Sequence, residues 1–111
     1  MEKDVPYFVL FYETVDDYAA RRAPFRAQHL ELAREAHAKG ELLMGGALAD
    51  PLDRALLVFR VPDRRVVEDF VQRDPYVANG LVRRWEVRPW TVVIGNDPAD
   101  PGPPPPAPAG R

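Results

Sequence analysis

Residues 73–93 read RDPYVANGLVRRWEVRPWTVV, and the fold turns on how this stretch is read. Asp74-Pro75-Tyr76 is a helix-start signal: the Asp side chain can accept from orphan backbone N–H groups, and Pro suits the first helical position. A short turn or single-turn helix then stops at Asn79-Gly80, residues that tolerate the left-handed conformation of a C-cap. From Arg83 to Val93 the pattern becomes strand-like, with Trp85, Val87, Trp90, Val92 and Val93 supplying aromatic and β-branched bulk. Pro89 removes a ladder donor from that run, which predicts an edge strand. A carboxylate is thus held at a fixed corner before the last strand, and chemistry is expected near it.

Upstream of this corner, Pro62-Asp63 opens a helix expected to run to Arg73, with Val66, Val67, Phe70 and Val71 as its buried side. It follows a strand over Arg54 to Val61, apolar on both faces: Ala55, Leu57 and Phe59 against Leu56 and Val58. Glu41 to Leu48 reads as another strand, in which Gly45-Gly46 allows a bulge or a close approach. Before it, Pro24 and Gly40 bracket a helix. Phe25, His29, Leu32, Ala33 and Ala36 share one face of that helix, with a histidine in the middle of an apolar stripe. Thr14 to Ala23 reads as a loop turning at Asp16-Asp17. The first strand is Pro6 to Glu13, again apolar on both sides.

The order is β-α-β-β-α-β, a ferredoxin-like α+β unit with an antiparallel four-stranded sheet. In that topology the first and third strands are central and the second and fourth are edges. This matches the two-sided apolar strands and the proline in the last one. Two helices cover only one face of such a sheet. The simplest cover for the other is a second copy of the chain, so a homodimer through the sheet faces is expected.

Composition narrows the function classes. At 111 residues and 46% hydrophobic content, the chain makes one core, expected over residues 1–94. Residues 95–111, GNDPADPGPPPPAPAGR, hold 7 of the 13 prolines and no large apolar residue, and should form a disordered or polyproline-II tail. No apolar run approaches the ~20 residues of a membrane helix, and MEKDVPYF carries no signal-peptide core. A soluble, cytoplasmic protein is the default expectation. A net charge of −2 gives no field to draw nucleic acid. With two histidines and no cysteine, no preformed metal site is expected, and no cofactor motif is present. The chain contains no Ser or Cys, so a Ser-His-Asp or Cys-His hydrolase is excluded. Gly45-Gly46 lacks the spacing and lysine of a phosphate loop.

Acid–base work on a small molecule, or simple binding, remains. His29 can give or take a proton near neutral pH. Taken alone, it reads first as a half-buried histidine satisfied by a carbonyl or carboxylate, and Asp74 reads first as a helix cap. Together they suggest a pair in which the carboxylate fixes the imidazole tautomer and leaves the other nitrogen for a substrate. Arg26 is placed to receive an anionic group. Tyr7, Phe25, Tyr76 and Trp90 are candidates for the aromatic wall of a small-molecule site, and Gly46 for its floor.

The segments Arg26-Ala27-Gln28-His29-Leu30, Gly40-Glu41-Leu42-Leu43, Gly45-Gly46, Asp74-Pro75-Tyr76-Val77, Gly80-Leu81 and Val87-Arg88-Pro89-Trp90 follow one another as in the YciI-like (YCII-related) family, which the chain resembles over roughly residues 6 to 94. The resemblance implies a ferredoxin-like subunit forming a dimeric α/β barrel, with a histidine and an aspartate in its site; these map onto His29 and Asp74, with Arg26 as a neighbour. The family often has Gly-Pro near the end of the second strand, where this chain has Gly46-Ala47, so pocket shape departs from the pattern there. Two function classes follow. One is a small enzyme using His29 and Asp74 for isomerisation, elimination or lyase chemistry on a small organic acid; the other is a non-catalytic binding or regulatory dimer. They differ in whether protein groups already occupy both ring nitrogens of His29.

Overall fold

The computed structural model describes residues 5–95. Strand β1 (Tyr7–Thr14) leads through a single turn of helix, α1 (Tyr18–Arg21), into the long helix α2 (Ala23–Ala38). Strands β2 (Leu42–Ala47) and β3 (Arg54–Arg60) follow, then α3 (Arg64–Arg73), the one-turn α4 (Pro75–Ala78) and strand β4 (Val82–Trp90). The four strands form one antiparallel sheet in the order β2-β3-β1-β4. The strands with two apolar faces are therefore the central ones, and Pro89 lies on an edge.

Local signals account for the element ends. Asp63 caps α3, its Oδ1 accepting from the Arg65 N–H at 2.9 Å. Helix α2 closes with the Gly40 N–H on the His37 carbonyl and the Glu41 N–H on that of Ala36, at 2.9 and 3.0 Å. This double bond pattern needs a left-handed residue, supplied by Gly40 at φ 79°. The same arrangement ends α4: Gly80, at φ 76°, follows Asn79, and the Leu81 N–H reaches the Tyr76 carbonyl at 2.9 Å.

The core lies between the sheet and helices α2 and α3. Phe8, Leu10 and Tyr12 of β1 and Ala55, Leu57 and Phe59 of β3 meet Leu32 and Ala36 of α2 and Val67, Phe70 and Val71 of α3. Period-2 alternation sends the other residues of the central strands to the opposite face: Tyr7, Val9 and Phe11 beside Leu56 and Val58, with Met44 paired to Val58 and Trp90 to Tyr7. Among the described residues no helix covers that face, and Phe11, Met44 and Trp90 are exposed there.

Three boundaries differ from the sequence reading. The expected loop from Thr14 to Ala23 contains α1, because Tyr18 is buried against Tyr76 and Leu81 and that packing, rather than helix propensity, fixes the turn. The last strand stops at Trp90 instead of Val93, since its partner β1 begins at Tyr7 and leaves Thr91 onward nothing to pair with. The irregularity in β2 falls between Leu42 and Met44, just before the glycine pair, while Gly45 makes the close approach expected there: a Cβ would lie 3.2 Å from the Leu57 side chain. Residues 1–4 and, apart from Gly95, the expected tail lie outside the described residues. Among the described residues no helix is long and apolar enough to cross a membrane.

Phe59 has no exposed surface and sits edge-on to Phe70, with centroids 5.3 Å apart. Truncation in such a site removes burial and leaves a cavity. Phe59→Ala should cost about 3–5 kcal/mol of unfolding free energy, measured as a shift of the urea midpoint.

Candidate functional site

The corner at Asp74 is where four elements meet. Its residue ends α3 and begins α4 in an extended conformation, which turns the side chain back under the sheet. The carboxylate is fully buried. A buried charge must be hydrogen-bonded to be tolerated, and here each partner comes from a different element. Oδ2 accepts from the Tyr12 hydroxyl of β1 at 2.7 Å. Oδ1 accepts from the Tyr76 backbone N–H at 3.0 Å, which is the capping bond foreseen from Asp-Pro, and from Nδ1–H of His29 on α2 at 2.9 Å.

The last contact fixes the histidine. A carboxylate only accepts, so the Nδ1 proton lies toward Asp74 and Nε2 is the remaining nitrogen. Nε2 has no hydrogen-bond partner among the described residues. The ring is also held flat against Tyr76, with centroids 3.9 Å apart and planes 9° from parallel. Two constraints thus set its orientation: one bond and one stacked face.

His29 lines a cavity of about 470 Å³ between the C-terminal part of β1, helix α2 and the edge strand β2. Arg26, Gly46 and Tyr76 line the same cavity, as the sequence suggests. Phe25 does not: it is half-buried behind the site, packed against Tyr18, Tyr76 and Leu81. Tyr7 and Trp90 lie on the opposite face of the sheet, paired in register with one another. The pleat explains this, because Tyr7 is an odd number of residues from Tyr12 and so points away from it. Tyr12, Tyr18, Arg22, Arg34 and His37 also line the cavity and were not singled out from sequence. For Tyr12 a signal existed: a tyrosine on the inward face of a central strand needs a partner for its hydroxyl.

Electrostatics follow from this burial. Desolvation, then the Asp74 charge, then the hydrogen bond to it push the Tyr12 hydroxyl far above the ordinary tyrosine range. Burial also pushes Tyr76 up, reinforced by Tyr18 and opposed by the nearby Arg26 and Arg22. The Tyr76 hydroxyl is buried without a hydrogen-bond partner among the described residues; the Arg26 guanidinium is close but outside bonding geometry. Among the described residues no three His, Cys, Asp or Glu side chains are grouped to hold a metal ion.

Tyr12 gives a pH signature. Its folded-state pKa is raised, so its contribution is complete below the ordinary tyrosine pKa of 10.0 and is lost as pH climbs past that value, where the unfolded chain releases a proton that the folded chain keeps. The parent should therefore lose stability above about pH 10 more steeply than Tyr12→Phe, by up to ~1.4 kcal/mol per pH unit. At pH 7 the same variant should be less stable by about 1.5–3 kcal/mol, because one oxygen of a buried carboxylate loses its donor. Urea titrations between pH 7 and 11 measure both effects.

Comparison with known proteins comes from sequence and from structure. No curated protein matches the chain. Among solved structures, it is similar to 5-chloro-2-hydroxyhydroquinone dehydrochlorinase (TftG) from Burkholderia phenoliruptrix AC1100, in complex with 2,5-dihydroxybenzoquinone. That match has 19% identity and a TM-score of 0.66, and covers 77% of this chain and 93% of that one. It is also similar to Rv0793 from Mycobacterium tuberculosis, with 15% identity, TM-score 0.51, and coverage of 83% and 98% of the two chains. A third likeness is to an uncharacterized NIPSNAP-like domain protein from Burkholderia xenovorans, at 20% identity and TM-score 0.50, covering 94% and 96%. At these identities the likeness establishes the fold. The sequence pattern of the YCII-related domain matches residues 5–91, the segment that carries the whole sheet and every residue of the Asp74 corner, and the chain belongs to that family.

Proposed function

We propose that this protein is an enzyme that moves protons on a small anionic organic molecule, with His29 as the general acid–base and Asp74 as the group that orients it. One observation carries this reading: Nδ1 of His29 is tied to a buried carboxylate while Nε2, on a ring that lines the cavity, has no hydrogen-bond partner among the described residues. A histidine serving packing alone gains nothing from an unpartnered nitrogen at a cavity wall, whereas proton transfer requires one.

The roles follow from the contacts. Nε2 takes a proton from a substrate carbon or oxygen and returns it to another position or to a leaving group. Asp74 keeps the Nδ1 proton in place and stabilises the imidazolium while it exists. Tyr12 and the Tyr76 N–H hold the carboxylate from two further directions and keep it from swinging toward the substrate. Tyr76 holds the ring plane. Arg26, on the same cavity wall, receives the anionic group of the substrate. The reactions that fit are isomerisation and elimination. The dehydrochlorinase among the structural neighbours carries out an elimination by name, in keeping with this class.

The uncovered sheet face supports a second part of the reading, a homodimer closed sheet to sheet. Phe11, Met44 and Trp90 are exposed on it, at 37%, 68% and 48%, around Val9, Leu56 and Val58. A face-to-face contact would clear the ~1,000 Å² of a stable interface. Light scattering of the parent should give twice the chain mass at micromolar concentration, and Phe11→Asp should give a monomer or an unfolded chain. A monomeric parent defeats this part.

For the chemistry, small organic acids are incubated in deuterated water with the protein and followed by proton NMR for exchange, isomerisation or elimination. His29→Gln should abolish the turnover found, with a melting temperature within a few degrees of the parent. Asp74→Asn keeps the cap but not the charge, and should lower turnover by on the order of 10²–10⁴-fold. Turnover undiminished in His29→Gln overturns the assignment.

A further inference from the structure

The cavity wall contributed by α2 is cationic. Arg22, Arg26 and Arg34 all line it, and no Asp or Glu does. None of these three arginines has a carboxylate partner among the described residues, whereas Arg21, Arg65, Arg73, Arg83 and Arg84 each lie within ion-pair distance of one. The neighbouring cavity between α2 and α3, about 400 Å³, carries both signs, with Glu35, Glu41 and Asp69 against Lys39, Arg65 and Arg73. A chain with a net charge of −2 has thus kept carboxylates out of one cavity and left its arginines uncompensated there.

The arginines are not in one cluster. Arg22 and Arg26 stand at the start of α2, and Arg34 stands eight residues beyond Arg26, roughly 12 Å along the helix axis. Between these poles the walls are apolar, formed by Ala33 of α2, Leu42 of β2, and Ala55 and Leu57 of β3. The Tyr76 hydroxyl is buried beside Arg26 at the first pole, without a hydrogen-bond partner among the described residues. The second has His37, whose Nδ1–H donates to the Leu42 carbonyl at 2.8 Å and fixes the ring at that end of the cavity. His29 lies between the poles, three residues from Arg26.

We infer that the ligand of this cavity is an elongated dianion: two carboxylates, or groups of similar charge, separated by a hydrocarbon or aromatic segment. One end sits at Arg22 and Arg26, the other at Arg34. The inference rests on the proposal that this cavity is the substrate site, and it adds the substrate class. It also places the reacting carbon, because His29 is closer to the Arg26 pole and so faces carbons near the first carboxylate. A monoanion would satisfy one pole and leave the other, with its uncompensated charge, to water.

Isothermal titration calorimetry of the full chain at low ionic strength tests this, with hexanedioate against hexanoate and benzene-1,4-dicarboxylate against benzoate. In at least one pair the dianion should bind about tenfold tighter or more, the gain expected from one additional charge-assisted contact. Arg34→Gln should remove that advantage and leave the affinity for the monoanion unchanged, while Arg26→Gln should weaken both. Both positions are exposed, so neither variant endangers folding. Equal affinities in both pairs, no binding by either dianion, or an unaltered preference in Arg34→Gln overturns the inference. The readout is binding, so it separates from the acid–base proposal: a dianion preference without turnover leaves the substrate class standing, and turnover without the preference does the reverse.

Discussion

One buried carboxylate organises this protein. Asp74 has no contact with solvent, and its charge is tolerable only because three donors converge on it: the Tyr12 hydroxyl, the His29 ring and the Tyr76 backbone N–H. Those donors come from β1, α2 and α4, so satisfying the charge fixes the relative positions of the central strand, the long helix and the entry to the last strand. Withdrawing the Tyr12 hydroxyl leaves Oδ2 without a donor among the described residues, whereas Oδ1 has two. The same geometry that holds the corner together also sets the histidine tautomer.

The sheet supplies the second constraint. Its central strand sends Tyr12 into the site and Tyr7 to the far face by simple alternation. With α2 and α3 committed to the Tyr12 side, no element among the described residues covers Val9, Phe11, Leu56 and Val58 on the Tyr7 side. A two-layer unit therefore has one face that builds the site and one that presents an apolar surface. The site and that surface share strand β1 and are separated only by its thickness.

The cavity reflects a third constraint, charge without compensation. Most arginines elsewhere on the molecule that come near a carboxylate do so at exposed positions, where such pairs contribute little. On the cavity wall the pairing is absent, and the apolar strip between the two cationic ends provides a low-polarity stretch in which a charge-assisted contact counts for more. This division between poles and strip arises from the helical period, which brings Arg22, Arg26, Ala33 and His37 to one side of α2.

Read alone, the sequence determined the order of elements, the antiparallel unit and the central and edge strands. These rest on periodicity, on Pro and Gly at helix ends, and on apolar residues that recur at intervals of two or of three to four, all of which are local properties of the chain. It also carried the Asp-Pro cap, which is a bond between neighbours. Only tertiary structure decided that Tyr12 is the second anchor of Asp74, that Tyr18 sits in a turn of helix, and that Tyr7 and Trp90 belong to the opposite face from the cavity. A tyrosine's partner, a helix turn stabilised by distant packing and the side of a sheet that the helices choose are long-range outcomes, set by which surfaces meet once the chain is closed. The setting of Arg22, Arg26 and Arg34 is of the same kind: a sequence shows the charges, and only the fold shows that, among the described residues, none of the three meets a carboxylate while Arg22 lies over the Tyr18 ring.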